Sequence, residues 1–250
     1  MQLNKTNQGA QGVAAEIAEI ASILWQKGWA EAGAGNISVN VTEYYPGIHM
    51  DFRTFEMIPL EIKYPALVNN YLFITAKGSR MRNLAKDPGS GLCLIKISKK
   101  GDAYQVLFED PETPLFPSSE LPSHFGIHNY MVNQGASEKA IVHTHCHELI
   151  ALSHDKKLQS EASMNEILLK MHTETVFFIP EGIGYVPTVE PGSLALAKAT
   201  LKSLKDHKVV LWEKHGCLAI GKDVHEALDR IELMAKAALI YLNCKKAGIL

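Results

Sequence analysis

The chain has 250 residues, of which 46% are hydrophobic and 21% charged, with a formal net charge of −2. These values suit an ordinary soluble globular protein with a sizeable core. The basic pairs Lys99-Lys100, Lys156-Lys157 and Lys245-Lys246 are scattered and no run of 18 apolar residues occurs, so the sequence predicts neither a nucleic-acid partner nor a membrane span.

The opening "MQLNKTNQGAQG" is polar and lacks the basic-then-apolar pattern of a secretory signal. Cys93, Cys146, Cys217 and Cys244 are widely spaced with no CxxC pair, which predicts reduced thiols in a cytoplasmic protein. Val13, Ile17, Ile20 and Leu24 recur at helical spacing, predicting a first helix from Val13 to Trp29. In "GNISVNV" the alternation of Ile37, Val39 and Val41 predicts a half-buried strand. Residues 42–70, interrupted by Pro46, Pro59 and Pro65, read as an ordered excursion serving as a lid or a subunit contact.

"YLFITAKGS" is a strand that breaks at a glycine turn. "GLCLIKIS", the turn "KKGD" and "AYQVLFE" form a β-hairpin. "LPSHFGIHNYMVNQG" is a short helix with Pro122 near its first position, and the strand "KAIVHTH" follows it. "TVFFIP" and "KVVLWEKH" read as strands flanking the helix "GSLALAKATLKSLKDH". The last helix starts near Asp223, with Glu226 three residues on, an N-cap pair. No internal repeat, low-complexity tract or linker interrupts the chain. Strands outnumber simple βαβ alternation, so the expectation is one domain over residues 1–250 with a mixed sheet covered by helices.

The chemistry gathers in "AIVHTHCHELIALSH", residues 140–154, which holds four of the 11 histidines. On a strand, His143, His145 and His147 would share one face and converge, and neutral imidazole is the commonest metal ligand. Alone, an HxH pair is weak, because histidines two apart occur often by chance. His215 strengthens it, standing at the end of an apolar strand immediately before Gly216 in "LWEKHGCLAIG". Two histidines from one strand and one from another would leave an open position on a catalytic zinc. Ser118, Ser119 and Glu120 precede a helix. They read equally as a phosphate cradle with a general base, or as a plain helix cap.

Taken in order, "AGAGNIS", "ITAKGS", "SSELPSH", "VHTHCHELIALS", "ETVFFIPEGIG" and "LWEKHG" resemble the class II aldolase family over nearly the whole chain. That resemblance implies a three-layer αβα fold with a mixed, mainly antiparallel sheet. It also implies a homotetramer with sites at its interfaces. By the same resemblance His143, His145 and His215 bind one zinc ion per subunit, and Glu120 is the catalytic acid/base. Asn36, Gly78, Ser118 and Ser119 line the phosphate and enediolate site, and Glu174 is a second carboxylate reaching a neighbouring subunit's site.

"SELPSHF" and "ETVFFIPEGIG" followed by "LWEKHG" favour the branch that cleaves L-rhamnulose 1-phosphate to dihydroxyacetone phosphate and L-lactaldehyde. Gly33 and Lys77 depart from that branch, standing where asparagine and the serine of a "TGSG" turn are usual. His147 matches no ligand. Alternatives are L-fuculose-1-phosphate aldolase, pentulose-phosphate 4-epimerase or methylthioribulose-phosphate dehydratase chemistry, or a non-catalytic interaction module.

Overall fold

The computed structural model of the chain describes residues 8–45, 56–107 and 115–250. Among the described residues the strands are β1 (Asn36–Asn40), β2 (Ile58–Pro59), β3 (Tyr71–Thr75), β4 (Leu92–Ile97), β5 (Ala103–Leu107), β6 (Ala140–Thr144), β7 (Ile183–Val186), β8 (Val209–Trp212) and β9 (Gly216–Gly221). They join in one sheet, in the order β2-β5-β4-β3-β1-β6-β9-β8-β7. Every neighbouring pair is antiparallel except β7 and β8, which run parallel.

The helices are α1 (Gln8–Gln26), α2 (Met81–Leu84), α3 (Leu121–Asn133), α4 (His147–Ser153), α5 (Glu161–Met171), α6 (Thr173–Phe178), α7 (Leu194–Ser203) and α8 (Val224–Lys246). Strand side chains alternate between faces, and the two faces carry separate cores. Ile37, Val39, Phe73, Val142, Leu211 and Ala219 pack under α1, α2, α4, α5 and α8. On the opposite face α3 and α7 cover two apolar clusters, one built on Leu72, Ile74 and Ile95, the other on Ile141, Val210 and Leu218. The result is the expected three-layer αβα arrangement with a mixed, mainly antiparallel sheet.

α8 begins as the sequence indicates: Asp223 accepts a hydrogen bond from the Glu226 N–H at 2.8 Å. The Glu226 carboxylate returns to the Lys222 N–H, one residue before the cap. No described helix is long and apolar enough to cross a membrane.

Three expectations change. β1 is buried on both faces rather than half-buried, because it lies mid-sheet between β3 and β6. Its polar residues Asn36 and Ser38 therefore point into the interior, towards α3. "TVFFIP" is not a strand but helix α6: Thr175 and Ile179 are buried four residues apart, while Val176, Phe177 and Phe178 face outwards. The strand there is "IGYV", a few residues later. β6 stops at Thr144, so His147 starts α4 instead of sharing a strand face with His143.

Helices α2, α4 and α5 and strand β9 are not among the elements the sequence predicts. α5 is signalled by Ser160, whose hydroxyl caps the Ser163 N–H at 3.2 Å. Part of the 42–70 excursion, residues 46–55, lies outside the described residues. What is described of it is two short 3-10 turns and β2 at the sheet edge.

Candidate active site

β9 pairs antiparallel with β6, setting Cys217 opposite Thr144. The turn from β8 to β9 therefore delivers His215 against the end of β6. A Cβ on Gly216 would stand 2.4 Å from the Thr144 carbonyl oxygen, so glycine is what allows this approach. One nitrogen from each of His143, His145 and His215 lies within 4.8 Å of the others. His145 sits just past the strand end, its N–H bonded to the Trp29 carbonyl at 2.8 Å.

Two of the three rings are oriented by an outer acceptor. His143 Nδ1–H donates to the Cys217 carbonyl at 2.9 Å, and His145 Nδ1–H donates to the Glu31 carboxylate at 2.8 Å. Both Nε2 atoms are then left as bare lone pairs. His215 Nδ1 is buried without a partner. Trp212 lies against His143 and His215, with ring centroids 4.5 and 5.2 Å away.

Burial pushes the His143 pKa down to about 3, with His145 adding to the shift, and burial beside His143 takes His215 to about 4. Neutral imidazoles, two of them steered by outer acceptors, are the donor set a divalent transition metal such as zinc requires. The residues present fit that ion.

Glu120 faces the cluster. It occupies the cap position of α3, but its side chain makes no capping bond. The carboxylate instead lies 3.6 Å from His143 Nε2 and 3.4 Å from His215 Nε2, and accepts a 3.0 Å hydrogen bond from Asn36 Nδ2. The β1–β6 register sets Asn36 directly opposite His143, which is why it reaches this carboxylate. Burial raises the Glu120 pKa, against the opposing pull of the Asn36 bond and the histidines. A carboxyl group that can hold or release a proton thus stands beside the three histidines.

A cavity of about 210 Å³ opens in front of them. Asn36, Gly78, Ser118, Ser119, Glu120 and the three histidines all line it, together with Gly33 and Lys77. The segment carrying Ser118 is tied to the end of β3 by backbone bonds, Ser118 N–H to Thr75 and Lys77 N–H to Phe116. Gly78 takes a φ of +75°, which turns the chain back at the cavity wall. Glu174 is not in this cavity; it lies exposed on α6. His147 is likewise outside it, paired with Glu148 at 3.3 Å.

Sequence reasoning missed Glu31, although it sits in the "GWAEAG" run before β1. No local signal marks it: Glu31 stands 114 residues from His145, and only the fold brings the two together.

A profile of the Class II Aldolase and Adducin N-terminal domain matches residues 15–242. The chain belongs to the class II aldolase family. Within the family it is 40% identical to rhamnulose-1-phosphate aldolase of Bacteroides thetaiotaomicron over 238 residues, covering 93% of this chain and 86% of that one. The rhamnulose-1-phosphate aldolase of Listeria monocytogenes is 30% identical, covering 93% and 85% of the two chains. Among solved structures, a sugar-phosphate aldolase from Thermotoga maritima superposes with a TM-score of 0.81 at 34% identity, covering 96% and 97%. The L-fuculose-1-phosphate aldolase of Thermus thermophilus shares the fold, with a TM-score of 0.57 at 18% identity and 96% of each chain covered.

Two outcomes follow from the geometry. Glu31→Ala removes the acceptor that orients His145 and should weaken metal affinity about 10- to 100-fold while the fold survives. Competition with a chelating dye measures this, and unchanged affinity would contradict the role given to Glu31. The second concerns acid.

His128 on α3 and His143 are fully buried and stay neutral to about pH 3, whereas unfolded histidine titrates near 6.5. Below about 6.5 the unfolded state binds protons that the folded state does not. The metal-free protein should therefore lose about 1.4 kcal/mol per pH unit for each such histidine as the pH falls towards 3. Urea unfolding at pH 7 and pH 5 checks the slope, and equal stability at the two values would refute it.

Proposed function

We propose that this protein is a zinc-dependent aldolase that reversibly cleaves L-rhamnulose 1-phosphate to dihydroxyacetone phosphate and L-lactaldehyde. The observation that carries the chemistry is the buried Glu120 carboxylate facing His143, His145 and His215 across one small cavity. The choice of sugar is supported by the 40% identity to a relative named rhamnulose-1-phosphate aldolase. One sheet runs through the described residues, in keeping with a single aldolase-like domain. The free cysteines suit a reducing compartment, and we read the protein as cytoplasmic.

When the carbon–carbon bond breaks, an electron pair is left on the three-carbon phosphate half. His143, His145 and His215 would hold one divalent ion per subunit, which would supply Lewis-acid stabilisation of that charge. Glu120 handles the proton: in cleavage its carboxylate takes up the proton released by the hydroxyl that becomes the aldehyde and then delivers it to the carbon left behind, and in condensation the two transfers run in reverse. Burial raises its pKa, which suits a group that must hold the proton between these steps. Ser118 and Ser119, the turn at Gly78 and the Lys77 ammonium form the phosphate side of the cavity, where a remote dianion anchors the substrate. Lys77 acts there as a point charge, replacing a neutral hydroxyl of relatives.

The sites of a homotetramer would be completed by Glu174. It sits on α6 beside Val176, Phe177 and Phe178, and Phe177 is 78% exposed. Consecutive exposed aromatics next to a carboxylate suit a face covered by a second copy of this chain. Phe177→Asp should dissociate the assembly and lower activity in parallel, as read by light scattering and turnover. A stable monomer with full wild-type activity would remove both the tetramer and the Glu174 role.

The substrate reading is tested by comparing kcat/KM on the 1-phosphates of L-rhamnulose and L-fuculose at equal metal loading. Rhamnulose should lead. An advantage of about tenfold for fuculose, roughly 1.4 kcal/mol of transition-state discrimination, would overturn the choice of sugar and leave the aldolase chemistry standing.

A further inference from the structure

On the α3 side of the sheet, the two apolar clusters are separated by a line of buried polar groups that the reaction above does not use. Its members are Ser38 on β1 and His124 and His128, one turn apart on α3, all fully buried. Ser38 Oγ lies 2.6 Å from His124 Nδ1 and 2.8 Å from His128 Nε2, and His124 Nε2 contacts Asn36 Oδ1. The line therefore runs unbroken from Glu120 through Asn36, His124 and Ser38 to His128.

Its direction follows from counting protons. Asn36 presents Nδ2 to the Glu120 carboxylate and Oδ1 to His124. His124 must then carry its proton on Nε2. Burial keeps both rings neutral, so His124 Nδ1 is an acceptor and takes the single Ser38 hydroxyl proton. Ser38 Oγ in turn accepts from His128 Nε2–H. The remaining atom, His128 Nδ1, has no partner, and this direction leaves it a lone pair rather than an orphaned N–H, which buried structure rarely tolerates.

We propose that Ser38, His124 and His128 are positioning residues: a one-way hydrogen-bond chain that fixes the Asn36 amide and, through it, the Glu120 carboxylate. The inference rests on Glu120 being the proton-moving group proposed above. Without the His124 donor the Asn36 amide is free to turn over, and its oxygen would then face the carboxylate and push it from its place between the histidines. Buried polar lines of this kind are costly unless every link is satisfied, so a single broken link is felt at its end.

The test uses the full-length, metal-loaded protein. His124→Phe keeps the ring volume and removes the donor. It should lower kcat about 10- to 100-fold with KM little changed, because the substrate's phosphate contacts are untouched. His124→Gln, whose amide N–H can occupy the Nε2 position, should restore most of the turnover. In the ¹⁵N-labelled wild-type protein, both rings should appear by NMR as neutral Nε2–H tautomers.

A folded His124→Phe protein with wild-type kcat would overturn the proposal, as would an Nδ1–H tautomer at His124. If His124→Phe fails to fold, Ser38→Ala takes its place: kcat should fall about tenfold with KM little changed and the His128 ring should lose its fixed Nε2–H tautomer, and wild-type kcat in a folded Ser38→Ala protein would overturn the proposal. A wild-type protein that cleaved no sugar phosphate would defeat the functional reading instead, while the tautomers would still decide the chain's direction.

Discussion

A carboxylate out of water is the constraint on which this molecule is organised. Glu120 is buried among His143, His215 and Asn36, and an unpaired buried charge costs several kcal/mol. The structure offsets that cost in stages. Antiparallel register places Asn36 on β1 beside His143 on β6, and β9 brings His215 from the other side. The start of α3, where backbone N–H groups carry partial positive charge, lies under the same residue. The group remains ionisable with a raised pKa, which is the property a proton-transferring side chain needs near neutral pH.

The same requirement divides the core. On the face under α1 and α8 the packing is continuous and apolar, and it includes Ile37 and Val39 of β1. On the α3 face the alternate residues of the same strand are Asn36 and Ser38, and the apolar contacts split into two clusters on either side of them. Both sides of the sheet bury apolar residues, but the α3 side interrupts that burial to hold polar groups in fixed orientations. That division explains why one strand, β1, contributes both to the largest cluster and to the site.

Most of the site was legible because its chemistry is written locally. The HxH pair, the "SSELP" run and a histidine before glycine each place a reactive group at the end of a strand or the start of a helix. The fold was legible where periodicity was strong, as in α1, α8 and the β4–β5 hairpin. It failed at "TVFFIP", whose β-branched and aromatic residues read as a buried strand when they form an exposed face of α6. An apolar run kept for a surface carries the same local pattern as one kept for a core. Glu31 and the Ser38–His124–His128 line were missed for another reason: their partners lie 86 to 114 residues away, and only the packing of α3 on the sheet and the approach of loops at the ends of its strands bring them together.

Glu120→Gln keeps the shape of the side chain and removes its capacity to exchange a proton. In metal-loaded protein, with ion content and melting temperature matched to wild type, turnover of L-rhamnulose 1-phosphate should fall by about 10²- to 10⁴-fold. Turnover equal to that of the wild type, at the same metal loading, would contradict the claim that this buried carboxylate moves the proton.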